Sequence, residues 1–342
     1  METRRTLLVD AFADEPLAGN VAGVVPDAAG LSDDRMRRIA AEIGASETAF
    51  LFEDAGAGDA STGAEAGDAA VQSGEANAAG DAPDERLRYF TPTTEVDLCG
   101  HATIATYGAL FAEGAIDAGE RTLRTGVGDL EVAVDEDGTV WMRQNPPTVD
   151  VIGTSGGGNG GDDASAVDLD ADRLGDALGI DPAALRDVGA DLPVAVASTG
   201  LPWLVVPVNF LERLGEAEPD TAAIEALSEA HGVAGVYAFT FDALDAESTL
   251  HGRAFAPAVG VPEDPVTGTA SGAVGAYLRE VGAFDGDFPD ELRFEQGHFL
   301  DRPGHVRVRV SGDSVRVGGR AIVSMDGDLR VPAEDDDEII EA

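Results

Sequence analysis

Along the chain, apolar positions switch between a period of two and a period near 3.6, and each switch predicts a change from strand to helix or back. Met36, Ile39, Ala40 and Ile43 recur at helical spacing behind Ser32-Asp33-Asp34; Ser32 reads as the N-cap and Gly44 ends the run. Ser46-Glu47-Thr48-Ala49-Phe50-Leu51-Phe52 then alternates, with Thr48, Phe50 and Phe52 on one face and Glu47, Ala49 and Leu51 on the other. The same reasoning predicts strands at Thr6–Phe12, Arg86–Phe90, Leu130–Val134, Val194–Ala197, Leu204–Pro207, Gly235–Thr240, Val306–Val310 and Ser314–Val317.

Two segments carry neither period. Residues 54–84 consist mainly of Ala, Gly, Asp and Glu, with Val71 as the one branched aliphatic, so they cannot bury enough surface to offset the entropy of ordering. They read as a solvated insert, and the Gly-rich residues 153–166 read as a flexible loop or linker.

An internal repeat organises the rest. Arg88-Tyr89-Phe90-Thr91-Pro92 recurs as Arg253-Ala254-Phe255-Ala256-Pro257, and Gly100-His101-Ala102-Thr103-Ile104-Ala105 recurs as Gly268-Thr269-Ala270-Ser271-Gly272-Ala273. In each copy a strand ends at Pro, an acidic loop follows (Glu95 and Asp97; Glu263 and Asp264), and a helix starts at Gly. Both helices are small or apolar all round, which predicts a helix buried inside its own domain with a sheet wrapped around it. The repeat therefore implies α+β architecture, duplicated, with two domains at residues 1–130 and 131–342 and a last strand able to return to the first.

Composition narrows the function. With 342 residues, 44% hydrophobic and 25% charged, the chain has globular composition and a length suited to two domains. No run approaches the roughly 18 apolar residues of a membrane span, and the opening residues lack a signal-peptide core, so a cytoplasmic protein without membrane partner is expected. The formal charge is −43, and every one of the 22 cations is Arg. Such a surface repels phosphate backbones, so no nucleic-acid partner is expected, and the absence of lysine points to adaptation to high salt. The single cysteine, Cys99, excludes an internal disulfide and a thiolate-cluster metal site; no metal or cofactor is expected.

Each buried helix would begin with free N–H groups and the positive end of its dipole. If both starts face one cleft they form a clamp for a small carboxylate; alternatively Gly100 and Gly268 only allow close helix–sheet packing. His101 and Thr269 lie beside those starts.

At these residues the sequence resembles a family. Asp10-Ala11-Phe12, Gly19-Asn20, Ser46-Glu47-Thr48, Asp97-Leu98-Cys99-Gly100-His101-Ala102-Thr103 and Glu263-Asp264-Pro265-Val266-Thr267-Gly268-Thr269-Ala270 resemble the PhzF family, phenazine biosynthesis-like isomerases of the diaminopimelate epimerase fold. Glu295-Gln296-Gly297, Arg302-Pro303 and Val317-Gly318-Gly319 agree. The resemblance implies two pseudo-symmetric domains, each a mixed sheet around a central helix, an active site between them, and a homodimer. It places the acid/base glutamate at Glu47, with His101, Asp264 and the Thr269 hydroxyl as polar partners, and Asn20, Gly100 and Gly268 toward a small carboxylate substrate. A carboxylate flanked by Ala45, Ala49 and Phe50 can take and return one proton, which is isomerase chemistry.

Two departures stand out: Ser271 replaces the family's usual His, and Val21 follows Asn20 where Pro is usual. A two-thiol racemase on the same fold is the rival enzyme, but the position matching Cys99 in the second copy is Thr267, which cannot act as a thiolate base. A ligand-binding or protein-interaction module without turnover is the rival from another class.

Overall fold

The computed structural model describes residues 2–53, 85–152, 169–186, 188 and 192–332. Both the 54–84 insert and the 153–166 loop lie outside these. The chain divides into two compact units: the described residues of Met1–Ala11, Val21–Gly138 and Ala321–Ala342 form one, and those of Phe12–Asn20 and Thr139–Arg320 the other.

In the first unit, β1 (Glu2–Ala11) and β2 (Asn20–Val25) precede α1 (Asp33–Ile43), β3 (Thr48–Glu53), β4 (Glu85–Phe90), β5 (Glu95–Val96), α2 (Gly100–Ala112), β6 (Gly119–Thr125) and β7 (Gly128–Val134). Strand β2 runs parallel to β3, β3 antiparallel to β4, β4 antiparallel to β5 and parallel to β6, and β6 antiparallel to β7. Helix α2 packs on β1, β3 and β7, and its residues Ala102–Ala109 are buried on every side, as an apolar helix surface requires. Helix α1 lies against β3 and β4, where Met36 and Ile39 meet Phe50 and Phe90. The last two rings stack edge to face at 5.5 Å, and burying each contributes about 2–3 kcal/mol. Gly44 terminates α1 at φ +72°, but the Ser32 side chain makes no capping bond, so the N-cap there is one of backbone conformation alone.

In the second unit, β8 (Val140–Arg143), β9 (Thr148–Val151), α3 (Ala171–Leu178), β10 (Ala195–Ser198), β11 (Pro202–Pro207), α4 (Leu211–Gly215), α5 (Thr221–His231), β12 (Val236–Thr240), β13 (Leu250–Ala256), β14 (Val261–Asp264), α6 (Gly268–Glu280), β15 (Leu292–Gln296), β16 (Gly304–Ser311) and β17 (Ser314–Gly319) follow. The strand pairings repeat those of the first unit in order and direction. Strand β11 is parallel to β12, β12 antiparallel to β13, β13 antiparallel to β14 and parallel to β15, and β15 antiparallel to β16. The helix inside this sheet is α6, buried from Ala270 to Leu278 and packed on β9, β10, β11, β16 and β17. Leu174, Leu178, Ile224 and Leu227 of α3 and α5 cover the opposite face around Leu204, Val206 and Phe255. The final strand, β18 (Ala321–Val331), pairs antiparallel with β1 along its length.

Two expectations are corrected here. A boundary at 130/131 would cut β7, which pairs with β6 from Gly128 to Val134, so the divide falls instead between Gly138 and Thr139. The acidic segments before the central helices are not plain loops, because Glu95 and Val96 pair with β4 and Val261–Asp264 with β13. Their placement explains the repeated arginine. Arg88 grips Glu95 through two 2.6 Å bonds and lies over the Phe90 ring, and Arg253 grips Glu263 through two 2.8 Å bonds and lies over Phe255. Fork-on-carboxylate pairs of this kind fix direction as well as distance, so each anchors the turn that delivers the chain to its central helix. Among the described residues, no helix is long and apolar enough to cross a membrane.

Candidate active site

At the start of α2, Cys99 is the N-cap and His101 the second helical residue, while Glu47 sits immediately before β3. The turn brings them together: His101 Nε2 lies 3.4 Å from Glu47 Oε2 and 3.4 Å from Ser46 Oγ, and Cys99 Sγ lies 3.4 Å from His101 Nδ1. Local bonds hold this backbone in place. The Cys99 carbonyl accepts from both the amide and the hydroxyl of Thr103, the Thr103 hydroxyl contacts Tyr89 Oη at 2.7 Å, and the Glu47 carbonyl accepts from Gly23 N. Cys99 is buried, whereas the His101 and Glu47 side chains are 13% and 23% exposed, so the cluster opens to solvent on its carboxylate side. Burial pulls the His101 imidazole below its ordinary titration range, and the Glu47 carboxylate partly opposes that shift. A neutral imidazole can donate to or accept from a neighbour without adding charge.

The start of α6 carries a different network on the same backbone. Asp264 accepts from the Thr267 hydroxyl at 2.6 Å and from Asn20 Nδ2 at 2.9 Å, and Asn20 also reaches the Val266 carbonyl. Gln296 accepts from Thr267 N through Oε1 and donates through Nε2 to the Asp264 carbonyl at 2.7 Å. Asn20, Thr267 and Gln296 are all buried. Within this unit the hydroxyl that bonds Asp264 is that of Thr267. Thr269 is half-buried and offers its carbonyl to Thr199 Oγ1, because the residue that precedes the helix, not the one inside its first turn, faces Asp264. Ser271 is fully buried and bonds back to the Thr267 carbonyl at 2.8 Å, as Thr103 does to Cys99. The residue standing in for the family's usual His is therefore part of the helix scaffold.

The two helix-start glycines differ as well. A Cβ on Gly100 would meet nothing within 4 Å, while one on Gly268 would come within 3.1 Å of the Phe12 ring and 3.4 Å of Val317. Close packing accounts for Gly268 but not for Gly100. Neither N-cap side chain caps its helix, so the first-turn N–H groups of both face no side-chain acceptor from that position.

The late motifs supply support. Gly318 and Gly319 leave room for the Trp141 ring and for Phe12, which a Cβ would approach to 2.5 and 2.4 Å. Arg302 donates to the carbonyls of Gly19 and Ala18, fixing the turn that presents Asn20. Beside Gln296, the fully buried Glu295 accepts from His251 Nδ1 and from the amides of Leu244 and Asp245. Burial alone would raise this carboxyl, but those donors outweigh it and bring it down to about 2. Thr267 and Gln296 were not singled out as site residues from sequence. The Glu295-Gln296-Gly297 motif is the signal that marks the second of them.

The pattern of the family described as phenazine biosynthesis-like protein, PhzC-PhzF, matches residues 9–327. The chain belongs to the PhzF family. An uncharacterized isomerase of Clostridium acetobutylicum is 32% identical over 333 residues, covering 94% of this chain and 96% of that one. The crystal structure of a PhzF-family phenazine biosynthesis protein from Bacillus anthracis superposes with a TM-score of 0.76 at 29% identity, covering 96% of this chain and 100% of the other. A hydroxyproline epimerase from Agrobacterium vitis, at 14% identity and a TM-score of 0.50 over 96% of this chain and 92% of its own, shares the fold alone. As a PhzF-type protein the chain is an isomerase, and its α+β units with central helices are those of the epimerase-like fold.

Proposed function

We propose that this PhzF-family protein is a cofactor-independent isomerase that moves a proton between two carbons of a small carboxylate-bearing substrate, with Glu47 as the acid/base group. The observation that carries the reading is the Glu47 carboxylate 3.4 Å from His101 Nε2 at an uncapped helix start. Glu47 takes a proton from one substrate carbon, is held as the neutral acid beside a neutral imidazole, and gives the proton to a second carbon, so no electron acceptor enters the balance. Gly100 and, in the other unit, Gly268 are each proposed to offer helix N–H groups to a small carboxylate. Asn20, Asp264 and Thr269 are proposed as substrate-handling residues, a reading supported by the family motifs in which they stand. The Asp264 network, its donors already engaged, suits positioning rather than proton transfer.

Incubating the protein in D2O with a panel of small unsaturated and hydroxylated carboxylates tests the reading by mass spectrometry. Time-dependent deuterium at carbon, together with an isomerised product, is expected. Saturable binding of a carboxylate with no exchange would instead make the protein a binding module. The family resemblance further supports a homodimer, and the acidic, lysine-free composition supports a salt-rich cytoplasm; light scattering and denaturation in low and molar KCl test these two points.

A further inference from the structure

We propose that Glu47, Cys99 and His101 form a site for a thiophilic divalent cation, Zn2+ foremost, whose binding silences the enzyme. Each residue offers one ligand atom, and these atoms lie within 4.8 Å of one another, the one such triplet among the described residues. Tetrahedral zinc, with bonds of about 2.0–2.2 Å to nitrogen and oxygen and about 2.3 Å to sulfur, keeps its ligand atoms roughly 3.4–3.8 Å apart. His101 Nε2 stands 3.4 Å from Glu47 Oε2, and Cys99 Sγ lies 3.4 Å from Nδ1 and 3.9 Å from Nε2, so a turn of the imidazole is what brings one ring nitrogen between thiolate and carboxylate on binding.

The donor set is also selective. One thiolate, one imidazole and one carboxylate suit zinc, whereas Mg2+ and Ca2+ demand shells of oxygen. Two of the three ligands flank the start of a buried helix, and Ser46 Oγ lies 3.4 Å from Nε2. Coordination releases the Cys99 thiol proton to solvent and occupies the Glu47 lone pair. The silencing half of this inference rests on the acid/base role proposed for Glu47; the binding half does not.

Cobalt(II), a coloured stand-in for zinc, is titrated into the metal-free full chain in molar KCl with excess Mg2+, which occupies non-specific sites on the acidic surface. The expected result is one equivalent bound with a thiolate-to-cobalt charge-transfer band, displaced by Zn2+. Because Cys99 is the one cysteine, that band reports this site alone. Cys99→Ser should abolish the band, and His101→Gln should weaken binding at least tenfold. If either variant misfolds by circular dichroism, protection of the wild-type thiol from alkylation by stoichiometric Zn2+ carries the test. Absence of the band, or zinc affinity unchanged in Cys99→Ser, overturns the site. Tight binding without loss of turnover overturns the silencing and the role of Glu47 while leaving the site intact.

Discussion

The two central helices begin on the same scaffold and end in different chemistry. Before each, a bidentate arginine–glutamate pair anchors the incoming turn, and inside each, a hydroxyl bonds back to the N-cap carbonyl at 2.8 Å. At the residues that face away from that scaffold the copies diverge: Cys99 against Thr267, His101 against Thr269. The first start carries titratable side chains, Glu47 and His101, that remain partly open to solvent. The second carries a half-buried carboxylate, Asp264, bonded to the buried Thr267 and Asn20 side chains, with Gln296 on its carbonyl. The repeat keeps what positions a helix and varies what stands at its end, and we propose on that ground one half as reactive and the other as rigid.

The largest effect expected from this asymmetry is on rate. Glu47→Gln keeps size and hydrogen bonding but removes the exchangeable acid, and should lower kcat by about 10²–10⁴-fold. Asp264→Asn in the rigid half should act mainly on KM, by roughly tenfold to a hundredfold, since a hydrogen bond to a charged group contributes about 1.5–3 kcal/mol. Steady-state kinetics of both variants check the split, and an equal loss of kcat in each would dissolve the contrast.

The rigid half should also fail first in acid. Glu295 titrates at about 2 in the folded protein against an ordinary 4.5. A depressed carboxylate stabilises fully above its unfolded value, so this contribution is lost as pH falls from about 4.5 towards 2. It amounts to on the order of 3 kcal/mol. Urea denaturation followed across that window should show the loss, and Glu295→Gln should flatten it.

The smallest effect reads the reactive half directly. His101 should titrate below 6.5 by NMR of its ring. Because the Glu47 anion raises that value against burial, Glu47→Gln should move the midpoint further down, while Thr267→Val should leave it in place. A midpoint that rises in Glu47→Gln would remove the coupling.

Much of this was legible in sequence for a physical reason. A duplicated helix start repeats its residues, and Gly100–Ala105 against Gly268–Ala273 exposes the two units before any contact is known. Helix α1 was legible because its apolar period is unbroken, and strand β3 because its short apolar run, Ala49–Phe52, follows the glycine that ends the helix. Strands β6 (GERTLRT) and β18, which is largely exposed, carry too many polar residues to show a buried face, and β15 hides its period behind the buried Glu295. At the site, Glu47 and His101 were legible from the motifs. Thr267 as the partner of Asp264 was not, since whether a helix faces a neighbour with its N-cap or its first turn depends on an entry angle that spacing does not record. The bonds from Glu295 to His251 and from Gln296 to Thr267 close over dozens of residues and leave no local pattern.

In the mechanism proposed, a single carboxylate, Glu47, carries the substrate's own proton from one carbon to another. Once a substrate is in hand, deuterium placed at its donor carbon tests this within one turnover. Part of the label is expected to reappear at the acceptor carbon of the product, because one carboxylate holds one proton and can return it before solvent replaces it, and the transfer is expected to disappear in Glu47→Gln. Product whose new hydrogen comes entirely from solvent at the earliest times, or label transfer that persists in Glu47→Gln, would contradict it.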